Sequence, residues 1–403
     1  MEIANNKNKK IMILGAGVYQ LPLIKKSKEL GYYTMVVSIP GNYPGFEYAD
    51  EVIYEDTTNV DSVLKIAKKK GINGICTTGT DVAVVTLGKI CDELGLNGIS
   101  YEGARIACNK SLMKQVFMNG GVRTAPFISL STSISNKELS ETCDRFGYPV
   151  IFKAIDSSGS RGIVVVNSAS DIASALDAVI KATHTDTFII EKFLTGIEFG
   201  AQAFVQDNKI SFVIPHGDFV FSGDTGVPIG HYAPYGSSEI CDDVYEQLSK
   251  AVSCMKLNNC AINADFILCN DQVYVLEIGA RCGATCLAEL VSIYMGYDYY
   301  EKIIKVALGE KVDMSPKNER RVPNASRLLI SDITGTIKSI KNTNTISDNI
   351  YEIRYDYSEG DNVRSFHTGP DRIGHVIVYA SKLSDALDIL DRVCDNIVIE
   401  VES

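Results

Sequence analysis

The stretch from Ala261 to Arg281 constrains the fold most. It reads Ala-Ile-Asn-Ala-Asp-Phe-Ile-Leu, then Cys-Asn-Asp-Gln, then Val-Tyr-Val-Leu-Glu-Ile-Gly-Ala-Arg. Two apolar runs of strand length around a short polar turn specify a β-hairpin. Each run carries one carboxylate among apolar neighbours: Asp265 beside Ala264 and Phe266, Glu277 between Leu276 and Ile278. A buried carboxylate without a partner is costly, so each needs a cation or a hydrogen-bond donor. Side chains alternate along a strand, so Asp265 faces Glu277 only if the turn holds an odd number of residues. Two carboxylates so placed repel unless a divalent cation joins them. Nearby Lys, Arg or backbone N–H groups are the other way to satisfy them.

With 403 residues, the chain has room for two or three domains. Its 45% hydrophobic and 22% charged content is that of an ordinary globular protein. No apolar run reaches the roughly 18 residues of a membrane span. The polar, Lys-rich start leads into a short apolar run before Gly15, which reads as a first strand and not a secretory signal. A net charge of −11 argues against nucleic-acid partners, so any polyanionic ligand must be held by local groups. None of the 11 cysteines forms a C-x-x-C pair, which predicts reduced thiols and a cytoplasmic protein.

Residues 10–100 alternate strand and helix signals, the pattern of a parallel α/β sheet. The Gly15-Ala16-Gly17 turn has Gln20 where a dinucleotide fingerprint has its third glycine, so it reads as a tight strand-to-helix turn. Lys110 and Lys114 lie one turn apart on a helical segment. Lys153 interrupts the apolar strand Val150–Ala154, as a lysine does when it points into a cleft at a fixed anion. The small residues from Ser157 to Gly162 follow at once, and their N–H groups can cradle phosphate oxygens. Pro215–Ser238 reads as a long, functional loop carrying His216 and His231, whose spacing suits no common metal motif. The last ninety or so residues read as a small α+β unit.

These ordered motifs resemble the ATP-grasp superfamily of ATP-dependent carboxylate–amine ligases. Its members include L-amino-acid ligases, carbamoyl phosphate synthetase and purine-pathway enzymes. The resemblance implies an N-terminal parallel α/β domain (1–106), a two-lobed ATP-grasp domain (107–310, lid lobe about 123–190) and a small C-terminal α+β domain (311–403). It implies ATP with Mg²⁺, or Mn²⁺ in its place. Lys110 and Lys153 would contact the nucleotide phosphates. The loop Ser157, Ser158, Gly159, Ser160 and Gly162 would close over them. Glu191 with the Lys192-Phe193-Leu194 backbone would read the adenine edge, and Glu198 the ribose. Asp265 and Glu277 would hold Mg²⁺, and Arg281 would stabilise the transferring phosphoryl group. One position departs: Gly279 stands where the motif Glu-x-Asn-Pro-Arg has its Asn ligand. There water or a second carboxylate contact would have to complete the metal shell.

The expected activity is phosphorylation of a small carboxylate to an acyl phosphate, followed by transfer to an amine, with an amino acid on at least one side. No Ser-His or Cys-His nucleophile is needed, because the substrate supplies it. Lys153 and Arg281 are the expected catalytic side chains; His231, Arg327, His367 and Arg372 are the expected substrate contacts. The alternatives are a purine-type acyl or one-carbon transferase and an inactive nucleotide-binding regulator. The expected partners are small molecules, with no nucleic acid and no membrane, in a homodimer.

Overall fold

The computed structural model describes residues 6, 8–157, 161–222, 226–317, 321–345 and 347–403. The first region forms a parallel sheet of strands β1 (Lys10–Leu14), β2 (Tyr33–Ser38), β3 (Glu51–Tyr54) and β4 (Gly74–Cys76), in the order β3-β2-β1-β4. β1, β2 and β4 are apolar runs and almost wholly buried, as a helix-covered parallel sheet requires, while β3 is the half-exposed edge strand. Gln20 fills the Gly15–Gly17 turn: its Oε1 accepts from Gly17 N–H at 3.0 Å, and its Nε2 donates to the Thr78 carbonyl at 2.5 Å.

A second, antiparallel sheet has the order β5-β8-β6-β7, from β5 (Phe127–Ser131), β6 (Val150–Ala154), β7 (Ile163–Val166) and β8 (Thr187–Lys192). With the helices Asn136–Phe146 and Ile172–Ala182 it buries a cluster of its own, including Leu139, Phe152, Val179 and Phe188. The first sheet, by contrast, shares one core with the third: Met12 and Leu14 pack in the same cluster as Phe199, Ile262 and Val275.

The third sheet has eight strands. Five of them are β9 (Ile197–Gln206), β10 (Lys209–Val220), β11 (Pro228–Ala233), β12 (Cys260–Cys269) and β13 (Gln272–Gly279). Next in the chain come β14 (Asn324–Leu329), β15 (Gly335–Asn342), β16 (Ile350–Tyr355), β17 (Asn362–Val363), β18 (Gly374–Tyr379) and β19 (Ile397–Glu402). The spatial order is β13-β12-β9-β10-β11-β14-β18-β16, while β15, β17 and β19 make a small separate sheet. The pairing of β11 with β14 carries the large sheet across the boundary expected near residue 310. Among the described residues no helix is long and apolar enough to cross a membrane.

Two expectations need correction. Pro215–Ser238 is not a long loop: β10 continues through Val220, β11 returns from Pro228, and a helix starts at Ser238. Gly217, Pro228, Gly230 and Tyr232 sit in a paired ribbon, with Gly217 opposite Tyr232, where a side chain on Gly217 would strike the ring. The turn of the β12–β13 hairpin is also not odd. Cys269 pairs with Gln272, leaving the two residues Asn270 and Asp271, both left-handed, as a tight hairpin turn requires. Asp265 still faces Glu277, because the register shifts between Asp265 and Phe266. Phe266 pairs with Val275, so Leu276 is the extra residue of a β-bulge, which re-aims the strand.

Candidate active site

The hairpin bulge places Glu277 beside Asp265, and the same row continues across the sheet. Asp265 pairs with Gly200 of β9, and Gly200 pairs with His216 of β10. A Cβ on Gly200 would lie 2.3 Å from the His216 ring, so only glycine lets that ring lie across β9. Asp265 opens onto a cavity of about 1790 Å³ that Glu277, Gly279, Arg281, His216 and Lys153 also line. The depth of the site and the Glu277 carboxylate push the Asp265 carboxyl up to about 7. The residue is exposed to the cavity, so repulsion by Glu277 is the firmer of these two causes.

Lys110 begins the helix Lys110–Asn119, whose N-cap is Asn109. Its Nζ donates to Glu277 Oε1 and to the Ser157 carbonyl, both at 2.8 Å. Burial opposes its charge, but Glu277, Asp81 and Asp265 outweigh burial and hold the ammonium above its ordinary range. Arg281 Nη2 donates to Asp81 Oδ2 at 2.8 Å, while its Nε is buried with no partner among the described residues.

A second charged group lies where the β5–β8 sheet meets the helix Lys110–Asn119. Glu191 Oε2 takes Lys114 Nζ at 3.0 Å and Lys153 Nζ at 3.1 Å. Burial favours a protonated Glu191, but the two ammonium groups prevail and hold its carboxyl below the usual range. Burial pushes Lys114 down to about 8, against the pull of Glu191. Glu191 was expected to read an adenine edge; its Oε2 is shared by the two lysines, and its Oε1 is buried with no partner among the described residues. The following backbone is anchored as well: Lys192 N–H donates to the Pro126 carbonyl at 2.9 Å and Phe193 N–H to that of Pro149 at 3.3 Å.

His216, Asp218 and His231 form a third group. Asp218 sits opposite His231 in the β10–β11 register, with His216 two residues before it on the same face. Asp218 Oδ1 lies 2.9 Å from His216 Nδ1 and 2.6 Å from His231 Nδ1. A carboxylate only accepts, so both Nδ1 atoms carry a proton, and in a neutral ring Nε2 is then the acceptor. Gln202 Nε2 approaches His216 Nε2 at 3.4 Å, whereas His231 lines the cavity. Burial holds His231 below its ordinary range despite Asp218, which favours the neutral ring. The trio has the residue types of a metal site. Its close Nδ1–carboxylate contacts are those of a hydrogen-bonded array.

The other expected residues fall on both sides of the cavity wall. Glu198, His231 and His367 line it. Gly162 adopts φ +68 and its carbonyl accepts from Ala154 N–H at 2.8 Å. Ser158, Gly159 and Ser160 lie outside the described residues. Two expected substrate contacts are elsewhere. Arg327 pairs with Asp391 at 2.8 Å and covers the Phe219 ring. Arg372 is buried, bonded to Asp356 at 2.8 Å and set over the Tyr19 ring. Sequence reading missed Asp81, Asp218 and Arg364, all on the cavity. Asp81 and Arg364 sit in polar stretches without periodicity. Asp218 is legible only once β10 is known to continue past Pro215.

Comparison with known proteins places the chain in a family. The crystal structure of phosphoribosylglycinamide synthetase from Anaerococcus prevotii superposes with a TM-score of 0.83 at 35% identity, covering 98% of this chain and 100% of that one. The chain belongs to the ATP-grasp superfamily. It is an enzyme of the carbon–nitrogen ligase class of that superfamily. The family model for the phosphoribosylglycinamide synthetase ATP-grasp (A) domain matches residues 108–285, and that for L-amino acid ligase C-terminal domain 2 matches residues 327–402. L-amino acid ligase from Bacillus licheniformis shares the fold, with a TM-score of 0.80 at 16% identity over 98% of this chain and 100% of that one. Phosphoribosylamine–glycine ligase of Lactococcus lactis is 27% identical over 289 residues, 68% of this chain and 69% of that protein.

Proposed function

We propose that this ATP-grasp ligase activates the carboxylate of an amino acid with Mg²⁺ and ATP, and joins the resulting acyl phosphate to an amine. One observation carries the reading: two groups of opposite unmatched charge stand on one cavity. Lys114 and Lys153 share the single carboxylate of Glu191 and leave a positive excess. Among the described residues, Asp81, Asp265 and Glu277 have Lys110 and Arg281 as their ion-pair partners and leave a negative excess. A polyanion carrying a divalent cation satisfies both.

In this reading Lys110 and Lys153 bind phosphate oxygens, Arg281 stabilises the transferring phosphoryl group, and Glu198 takes the ribose. The 157–162 loop, including Ser158, Gly159 and Ser160, excludes water that would hydrolyse the acyl phosphate. The backbone from Lys192 to Leu194 borders the base. Asp265 and Glu277 fit a hard cation, being paired carboxylates that repel without one. Mg²⁺, when bound, neutralises charge on the phosphate oxygens. His231, oriented by Asp218, accepts the proton that the attacking amine loses. We keep the division at 1–106, 107–310 and 311–403, with the lid near 123–190. Free cysteines throughout support a cytoplasmic setting.

An amino-acid carboxylate is common to both relatives: one is named an L-amino acid ligase, the other a ligase of glycine. The amine partner separates the two readings. Lys25, Arg364 and His367 also line the cavity and favour an amine that carries an acidic group. The test uses hydroxylamine as a small nucleophile with MgATP and each of the twenty amino acids. Hydroxamate and ADP formed together with particular amino acids support carboxylate activation, and ADP formation with none of them contradicts it. Replacing hydroxylamine by amino acids, then by an amino-sugar phosphate, identifies the amine class.

A further inference from the structure

Gly279 stands where the family motif has an asparagine that would project toward the cation. A Cβ built on Gly279 would lie 3.0 Å from Asp81 Oδ1, closer than a real side chain sits comfortably. The space that the missing side chain would enter is therefore taken by a carboxylate 198 residues earlier in the sequence. Asp81 follows β4 in a loop pinned to the end of the hairpin. Thr78 forms a parallel bridge with Cys282, and Gly79 N–H donates to the Cys282 carbonyl at 3.0 Å.

The two oxygens of Asp81 are unlike each other. Oδ2 accepts from Arg281 at 2.8 Å. Oδ1 is buried and has no partner among the described residues. A buried carboxylate oxygen left unpaired costs free energy unless something absent completes it. Gly279 is two residues beyond Glu277 on the same strand face, so Asp81 Oδ1 lies on the face of the hairpin that carries Asp265 and Glu277.

We propose that Asp81 supplies the third protein oxygen of the divalent-cation site, replacing the side chain that Gly279 lacks. This rests on the reading of Asp265 and Glu277 as cation ligands. Gly279 is then the residue that makes room for Asp81, and not a lost ligand. A hard cation accepts carboxylate or amide oxygen alike, and the carboxylate adds a negative charge. The cation would also tie the loop of the first sheet to the hairpin of the third, so its binding would stabilise that junction.

The test uses Mn²⁺ with ADP and the full chain, following free Mn²⁺ by electron paramagnetic resonance and the melting temperature alongside. Asp81→Asn keeps an oxygen for Arg281 but removes the charge and the free oxygen. It should weaken Mn²⁺ binding about tenfold or more and shrink the Mn²⁺-induced rise in melting temperature. Gly279→Asn alone should weaken binding as well, because its side chain displaces Asp81. The double variant Asp81→Ala/Gly279→Asn should recover affinity to within about threefold of wild type. Wild-type affinity in Asp81→Asn would overturn the proposal, as would a double variant no better than Gly279→Asn. If Asp265→Asn abolishes binding while Asp81→Asn does not, the proposal alone fails. If wild type binds no Mn²⁺ with ADP, the cation-site reading fails with it.

Discussion

Glu191 and the Asp265–Glu277 pair are both carboxylate sites carried on strands, and they behave oppositely. Glu191 is sealed under two lysines, with a side chain only 2% exposed. Glu277 has one lysine, is 32% exposed, and faces Asp265 across open space. The first group is a structural knot whose excess positive charge spills toward the cavity through Lys153. The second is left incomplete, with repulsion stored between its members. A binding site shows itself here by charge that the protein's own residues leave unbalanced, not by the presence of charge alone.

The largest effect should come from breaking the incomplete side. Glu277→Gln should lower ADP formation about a hundredfold or more while circular dichroism shows an intact fold. Retained turnover would remove Glu277 from the metal site. Next come the two lysines of the sealed side, which should part company. Lys114 is wholly buried, so Lys114→Met should cost about 3 kcal/mol of stability by denaturant titration. Lys153 reaches the cavity, so Lys153→Ala should weaken ADP binding by calorimetry about tenfold or more. Equal effects on stability and on affinity in both variants would dissolve the distinction.

A smaller effect concerns acid–base balance. The Asp265 carboxyl is raised to about 7 in the fold, against 3.8 as its ordinary value. The folded state therefore holds that proton more tightly, and the group contributes stability that is present below about pH 4 and lost as pH rises to 7. In metal-free protein, the melting-temperature advantage of Asp265→Asn over wild type should grow across that range. A pH-independent difference would contradict it. The smallest effect is expected at Arg327, whose partner Asp391 is largely exposed. Arg327→Ala should change stability by about 1 kcal/mol or less and leave substrate KM unchanged.

Much of this arrangement was legible in the chain itself. Alternating apolar runs and helical periodicity give the first sheet and the hairpin. A lysine inside the apolar strand Val150–Ala154 betrays its cleft. What escaped depended on contacts that spacing does not encode. The bulge at Leu276 reverses the parity argument for the turn yet preserves its outcome, because one extra residue offsets one missing residue. Glu191 was assigned by position, but its partners lie 77 and 38 residues away in sequence, and only the fold brings them together. Arg327 and Arg372 were expected to be substrate contacts. Each is instead neutralised by an aspartate of its own region.

The central claim is that the two unbalanced groups are completed together, by one nucleotide and one divalent cation. Calorimetric titration of ADP into the metal-free protein, with and without Mg²⁺, tests it most directly. The account predicts ADP binding that tightens about tenfold or more with Mg²⁺, and that Glu277→Gln removes the gain while retaining the weak, metal-independent part. Binding of equal strength with and without Mg²⁺, or no binding in either case, would contradict it.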